Sequence, residues 1–199
     1  FISPMGNVSY TFSTLTDYSA PRIGGTYTFN NVAIYEGTAQ TRSYTANDAS
    51  QFVIPHQKGD TSTLQVLVRD TSSSSVVTAF TYADDLLRVK ADDATYFLKQ
   101  REDLFYEVYF GNGYIGRAIS TGNIVTLNYL ASSGSVANGA KFFTYFGGFR
   151  PEVTYAVSVV ATATGGSEAE TIESIKFNAP KAYTAQNRAV TVSDYETLI

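Results

Sequence analysis

Through most of the chain hydrophobic and polar residues alternate, the two-residue period of a strand with one face buried. Val8, Tyr10 and Phe12 alternate with Ser9, Thr11 and Ser13. Pro21, Gly24 and Gly25 mark a turn, after which two short apolar strands are predicted over Tyr27–Phe29 and Val32–Glu36, joined by Asn30-Asn31 as a tight turn. Phe52–Ile54 is a short strand stopped by Pro55, and Gly59-Asp60 opens a loop. The strongest alternation follows: Leu64, Val66 and Val68 on one face, Gln65 and Arg69 on the other, with Leu67 implying cover on both sides.

After a four-serine loop at Ser72–Ser75, strands are predicted near Val76–Tyr82, Leu86–Val89, Thr95–Leu98 and Phe105–Phe110. Gly111-Asn112-Gly113 is a hairpin signal. Val125, Leu127 and Tyr129 share one face of a strand over Ile124–Leu130. Ser132-Ser133-Gly134-Ser135 is loop, Asn138-Gly139 turns the chain into Lys141–Phe146, and Val153–Ala163 is the last long strand. Short strands at such intervals specify a sandwich-like or mixed β body.

The period changes at Gly165-Gly166. Ser167 with Glu170 three residues on is a capping box. The helix behind it carries Ala169, Ile172, Lys176 and Ala179 as one stripe, apolar at Ala169, Ile172 and Ala179, with Ile175 beside it. Glu168, Glu170 and Glu173 keep the other side wet, acids crowd the first turn, and Lys176 sits near the end, as the helix dipole favours. Pro180 is expected to end this helix at about Asn178. Ser193 with Glu196 starts a second helix with room for about six residues, too few to stand alone in water. Phe1-Ile2-Ser3-Pro4 is neither an initiator nor a signal peptide. The chain therefore reads as a piece of a larger, assembling protein. The expected fold is mainly β with a small helical C-terminal part (α+β). It divides into a β subdomain over 1–60, a β domain over 61–163 and a truncated helical docking segment over 164–199.

Composition sharpens this picture. Fifteen Tyr and thirteen Phe stand beside a single Met and no Trp, and aromatic and β-branched side chains suit a half-buried pleated surface. Only 16% of residues are charged, well below the usual quarter, which suits surfaces that pack against neighbours. The net charge of -4 comes with no basic run, so nucleic acid is not an expected partner. No cysteine is present, which excludes disulfides and thiolate metal sites. No apolar run approaches eighteen residues, so no segment reads as a membrane-spanning helix. Asn7-Val8-Ser9 matches a glycosylation sequon but has no secretory signal to give it meaning.

Candidate chemistry is sparse. His56, the single histidine, follows Pro55 at a strand end and reads as structural, with no nucleophile-elbow sequence in the chain. Asp84-Asp85 and Asp92-Asp93 could in principle hold calcium or act as acid and base, but neighbours in a strand point to opposite faces, so each doublet suits a polar turn. Gly111-Asn112-Gly113-Tyr114-Ile115-Gly116 has the form Gly-x-Gly-x-x-Gly. A dinucleotide site would need a helix directly behind it, and the pattern there returns to strand. No catalytic, cofactor or metal residue and no small-molecule substrate is expected.

Several short motifs occur in a set order: Tyr109-Phe110-Gly111-Asn112-Gly113 with Gly116, then Gly122-Asn123-Ile124-Val125 with Tyr129, then Gly134 and Asn138. Farther on come Gly165-Gly166, Glu168, Glu170-Thr171-Ile172, Ala179-Pro180, Arg188-Ala189-Val190-Thr191 and Asp194-Tyr195. Over roughly residues 60 to 199 this order and spacing resembles the baseplate J family, which includes the T4-type baseplate wedge proteins of contractile-tailed phages. Residues 1 to about 60 match no general pattern. The resemblance implies a structural subunit of the virion, assembled in the host cytoplasm. Such subunits join neighbouring wedges into a ring around the tail hub and relay the trigger for sheath contraction. It implies no catalytic residues; the expected partners are a second copy, as a dimer, and other wedge subunits. The structural or interface candidates it marks are Phe110, Gly111, Gly113, Gly116, Ile172, Ala179, Pro180, Arg188, Asp194 and Tyr195. The competing expectation is a carbohydrate-binding or adhesin module of a virion or cell surface, since Tyr and Phe suit sugar stacking as well as protein contacts.

Overall fold

The computed structural model describes residues 1–47, 50–147, 153–168 and 170–185. Ile2–Met5 (β1), Val8–Ser13 (β2) and Tyr35–Glu36 (β5) form a three-stranded sheet, and Arg22–Ile23 (β3) pairs with Thr26–Tyr27 (β4). The main sheet has seven strands: Thr38–Thr45 (β6), Phe52–Ile54 (β7), Gly59–Arg69 (β8), Thr78–Tyr82 (β9), Thr95–Gln100 (β10), Tyr106–Phe110 (β11) and Ile124–Ala131 (β12). Their order is β6-β12-β8-β9-β10-β11-β7. One helix, Ile172–Ala185 (α1), follows. The fold is thus mainly β with a small C-terminal helical part.

The main sheet is bent where β9 changes partner. Phe80, Ala79 and Thr78 pair antiparallel with Val66, Leu67 and Val68, whereas Thr81 and Tyr82 pair parallel with Thr95 and Tyr96. The two halves consequently face one another, and their inner side chains share one core: Leu64, Val66, Phe80, Val125 and Leu127 from one half, Phe52, Ile54, Tyr96 and Val108 from the other. At the far side the outer strands meet. Tyr44 on β6 donates its hydroxyl to the Val53 carbonyl on β7 and sets its ring edge-on to Phe52 at 5.8 Å. Burial pushes the Tyr129 phenol above its ordinary pKa, and that of Tyr96 likewise, with Tyr82 adding to the latter.

Opposite Tyr129 the β8–β12 ladder jumps from Gln65↔Asn128 to Asp60↔Leu130, so Thr61–Leu64 bulge out of register. Thr63 fills the gap. Its buried hydroxyl accepts from the Leu130 N–H at 3.0 Å and donates to the Asp60 carbonyl at 2.8 Å.

Several expectations change. Gly59-Asp60 begins a strand instead of a loop. The Gly24-Gly25 turn is itself the hairpin, both glycines holding the positive φ that a two-residue mirror-image turn requires; Asn30-Asn31 joins no strand pair. Leu86–Arg88 is a 3-10 turn, because Asp85 accepts from the Leu87 N–H and caps it. Lys141–Phe146 contributes only the single bridge Thr144↔Ile2. The expected strand over 153–163 pairs with no strand among the described residues, its alternation notwithstanding. The boundary expected at residue 60 falls inside the main sheet, since β6 and β7 lie with β8 to β12, while β1 to β5 form sheets of their own. A second core mixes both regions, packing Phe12 with Ala137, Ala140 and Phe143.

Removing the Thr63 hydroxyl without changing the shape of the side chain isolates its part in the bulge. Thr63→Val leaves the Leu130 N–H and the Asp60 carbonyl without that partner, and should lower unfolding stability by about 1–3 kcal/mol. Thr126→Val on the outer face should stay within about 0.5 kcal/mol. Urea unfolding of both variants measures the difference.

Candidate functional site

Phe110, Gly111, Gly113 and Gly116 do come together, but as support for the body. The Phe110 ring stands edge-on to Phe52 and to Phe80, each at 5.3 Å, bridging the two halves of the core. The chain behind it is a compact loop and not a hairpin, because β11 pairs with β10 and β7 and never with β12. Asn112 organises the loop by accepting from the N–H groups of Tyr114 and Ile115, and the Gly113 N–H closes it on the Gly116 carbonyl at 2.9 Å. The loop then docks on residues 90–93 through Gly116 N–H to Lys90 carbonyl and Arg117 N–H to Asp93 carbonyl. The next regular element is β12, so no helix N-terminus stands behind these glycines.

The carboxylate doublets belong to turns. Asp85 caps its 3-10 turn and pairs with Arg88 at 3.2 Å, and Asp93 accepts from the Lys90 N–H. His56 accepts at Nδ1 from the Lys58 N–H. Among the described residues no group of three or more His, Asp or Glu side chains is placed to hold a metal ion. No described helix is long and apolar enough to cross a membrane.

The C-terminal arm has a different character. Two carboxylates pin the loop at 132–138: Glu36 accepts from Ser132 Oγ and the Ser133 N–H, and Glu168 accepts from the Ser135 N–H and Oγ. Asn138 completes the clasp by exchanging two hydrogen bonds with the backbone of Gly166, at 2.7 and 2.9 Å. Glu168 thus belongs to the clasp, and the capping box expected between Ser167 and Glu170 is not made, because α1 begins only at Ile172. Thr171 caps α1 instead, its hydroxyl accepting from the Ser174 N–H at 3.2 Å. Glu170 accepts from Ser174 Oγ and Asn178 Nδ2, bonds that hold its carboxyl below the usual glutamate pKa.

The helix does not stop at Asn178. It carries Pro180 inside and runs to Ala185, the proline costing the Lys176 carbonyl its helical donor without ending the helix. Ile172 and Ala179 share a face as expected, but nothing in the described chain covers it: Ile172 is 62% exposed and Tyr183, on the same face, 81%; Phe177 on another face is 65% exposed. Lys181 lies 3.7 Å over the Phe177 ring. Before the helix, Val153, Val157, Val159 and Val160 also stand exposed. Ala169, Arg188, Asp194 and Tyr195, with the second helix start at Ser193, lie outside the described residues.

A third feature had no separate signal in the sequence. Because β9 leaves β8 after Phe80, Gln65 and the bulged residues Thr61–Leu64 face no strand on that side, and a cleft of about 890 Å³ opens there. Leu64, Phe80, Tyr82, Tyr96, Leu98 and Tyr106 line it, and no charged side chain does. Only the pairing of β9 with two partners creates it, and pairing is not encoded in local periodicity.

The loop glycines give a graded test. A side chain at Gly111 would run into the carbonyls of Ile115 and Gly116, whereas Gly113, at φ +85°, has open space around it. Gly111→Ala should cost about 3 kcal/mol by overpacking and Gly113→Ala about 1 kcal/mol from backbone strain alone. Thermal unfolding of the two variants checks the order.

Comparison with known proteins adds no relative: no protein-family model matches the chain, and no curated protein matches it significantly.

Proposed function

We propose that this chain is a structural subunit of a contractile phage tail baseplate. It joins wedges into a ring around the hub and relays the trigger for sheath contraction. Its partners are a second copy and neighbouring wedge subunits, its place is the virion, and it performs no catalysis. The observation that carries the reading is the uncovered C-terminal arm. Residues 153–160 and α1 both present apolar side chains to solvent, while the main sheet beside them buries its inner side chains in its own core. Exposed apolar surface on such a scale marks an interaction site. The ordered motifs from Tyr109 to Tyr195 that resemble the baseplate J family supply the kind of assembly. Turn-bound acids and a turn-bound histidine offer no positioned acid–base pair.

A second reading, a carbohydrate-binding or adhesin module, draws on the uncharged cleft with its tyrosines Tyr82, Tyr96 and Tyr106. Thr61, Ser62, Gln65 and Thr81 stand in the same lining beside the apolar Leu64, Val66, Phe80 and Leu98, but a sugar site leaves the uncovered arm without a role, which favours assembly.

Ile172 makes the assembly reading testable without unfolding the body. Being exposed, it can become Asp at little cost to the fold; inside an interface the same carboxylate would be buried without a partner, at about 1–3 kcal/mol or more. Light scattering over a concentration series should show dimers for the parent chain, at least fivefold weaker association for Ile172→Asp, and little change for Glu173→Lys. A parent chain that stays monomeric at high micromolar concentration contradicts the proposal.

A further inference from the structure

We infer that the cleft beside β8 is a strand-acceptor site, and that its occupant is the segment 153–160 of a second copy of this chain. The inference rests on the self-assembly reading and names its contact.

The acceptor is defined by backbone before side chains. β8 pairs with β9 only over Val66–Val68, and β9 then turns to β10 at Thr81–Tyr82. Thr61–Gln65 are therefore flanked by β12 on one side and by the cleft on the other, with their ladder to β12 itself interrupted by the bulge. Part of this edge is held within the chain, Asp60 accepting from the Ser62 N–H at 2.9 Å and the Tyr96 hydroxyl donating to the Leu64 carbonyl at 3.5 Å, so an added strand takes over those partners. A strand edge over an apolar floor is the geometry for such addition: main-chain hydrogen bonds hold the segment, and alternate side chains enter the groove. The floor takes apolar side chains from Leu64, Phe80, Tyr96 and Leu98. The complete absence of charge in its lining excludes a charged occupant, which would lose its solvation without a partner.

The donor matches on each count. Val153-Thr154-Tyr155-Ala156-Val157-Ser158-Val159-Val160 is uncharged and rich in β-branched residues. Its odd positions are apolar through Val159, as insertion of one face requires. Its alternation reads as a strand in sequence, yet it belongs to no sheet among the described residues, and Val157 and Val159 are 40% and 41% exposed. Tyr155 donates to the Tyr145 carbonyl at 2.9 Å within its own chain, so the far end, Val157–Val160, enters first. Donor and acceptor lie on every copy, so two copies can exchange segments reciprocally, as a two-fold dimer does.

The test uses the full chain and a capped synthetic peptide of residues 153–160. Amide shifts should change saturably at Thr61–Gln65 and Thr81–Tyr82 on titration. Two further peptides, N-methylated at the even or at the odd positions, block one strand edge each. One of the two should bind at least tenfold more weakly than the parent. Thr81→Arg, which places a charge at the exposed cleft wall, should abolish the shifts while leaving the melting temperature of the chain within a few degrees. Absence of saturable shifts at these residues overturns the inference, as does equal binding of all three peptides. Shifts produced there by maltotriose and not by the peptide also overturn it, in favour of a sugar site. If the peptide fails while the chain still dimerises in light scattering, the contact assigned here falls and the assembly reading stands. If the peptide binds while the chain stays monomeric, the acceptor site stands and self-assembly falls.

Discussion

Everything in this molecule depends on the way the seven-stranded sheet closes over a single apolar core. Ile54, Val66, Val108, Val125 and Leu127 are essentially removed from water, and they come from strands at opposite ends of the sheet order. That is possible only because β9 pairs with β8 along its first half and with β10 along its second. The Tyr44 hydroxyl on Val53 and the edge-on rings of Tyr44, Phe52, Phe110 and Phe80 hold the closure shut. Burial of this apolar surface is the main stabilising term; the change of partner that permits it also leaves the edge of β8 unfilled.

The consequence is a division of labour along the chain. The body is internally complete, down to a threonine hydroxyl that repairs the interrupted ladder at Leu130. The arm is incomplete by itself. It is fastened to the 132–138 loop by Glu168 and Asn138, beyond which its apolar side chains face solvent. A fastened but uncovered arm is what a subunit needs if its neighbours are to supply the missing surface. The same loop is held from the other side by Glu36, next to the N-terminal sheet, so the clasp joins the arm to both cores.

What the sequence made legible follows from how local each signal is. The alternation at Leu64–Val68 and Val125–Tyr129 identified the buried faces of β8 and β12, and Phe52–Ile54 was bounded correctly by Pro55. Leu86–Val89 looked equally strand-like, but the Asp85 side chain captured the Leu87 N–H and turned the backbone. The box between Ser167 and Glu170 failed because Glu170 accepts instead from Ser174 and Asn178 farther along the helix, and Thr171 took the cap. Pro180 was read as a terminator, yet one lost hydrogen bond did not end the helix. Of the site candidates, Phe110 and the loop glycines turned out to serve the body. Ile172 and Ala179 are exposed on the arm, and the cleft, a product of pairing, was invisible.

The central claim is that the arm is completed by another subunit. Hydrogen exchange of the full chain at low and at high micromolar concentration tests it most directly. The account predicts that amides in 153–163 and 172–185 gain at least tenfold protection with concentration, while Val66, Val125 and Leu127 in the core do not change. Equal exchange of the arm at both concentrations, with the core protected throughout, would contradict it.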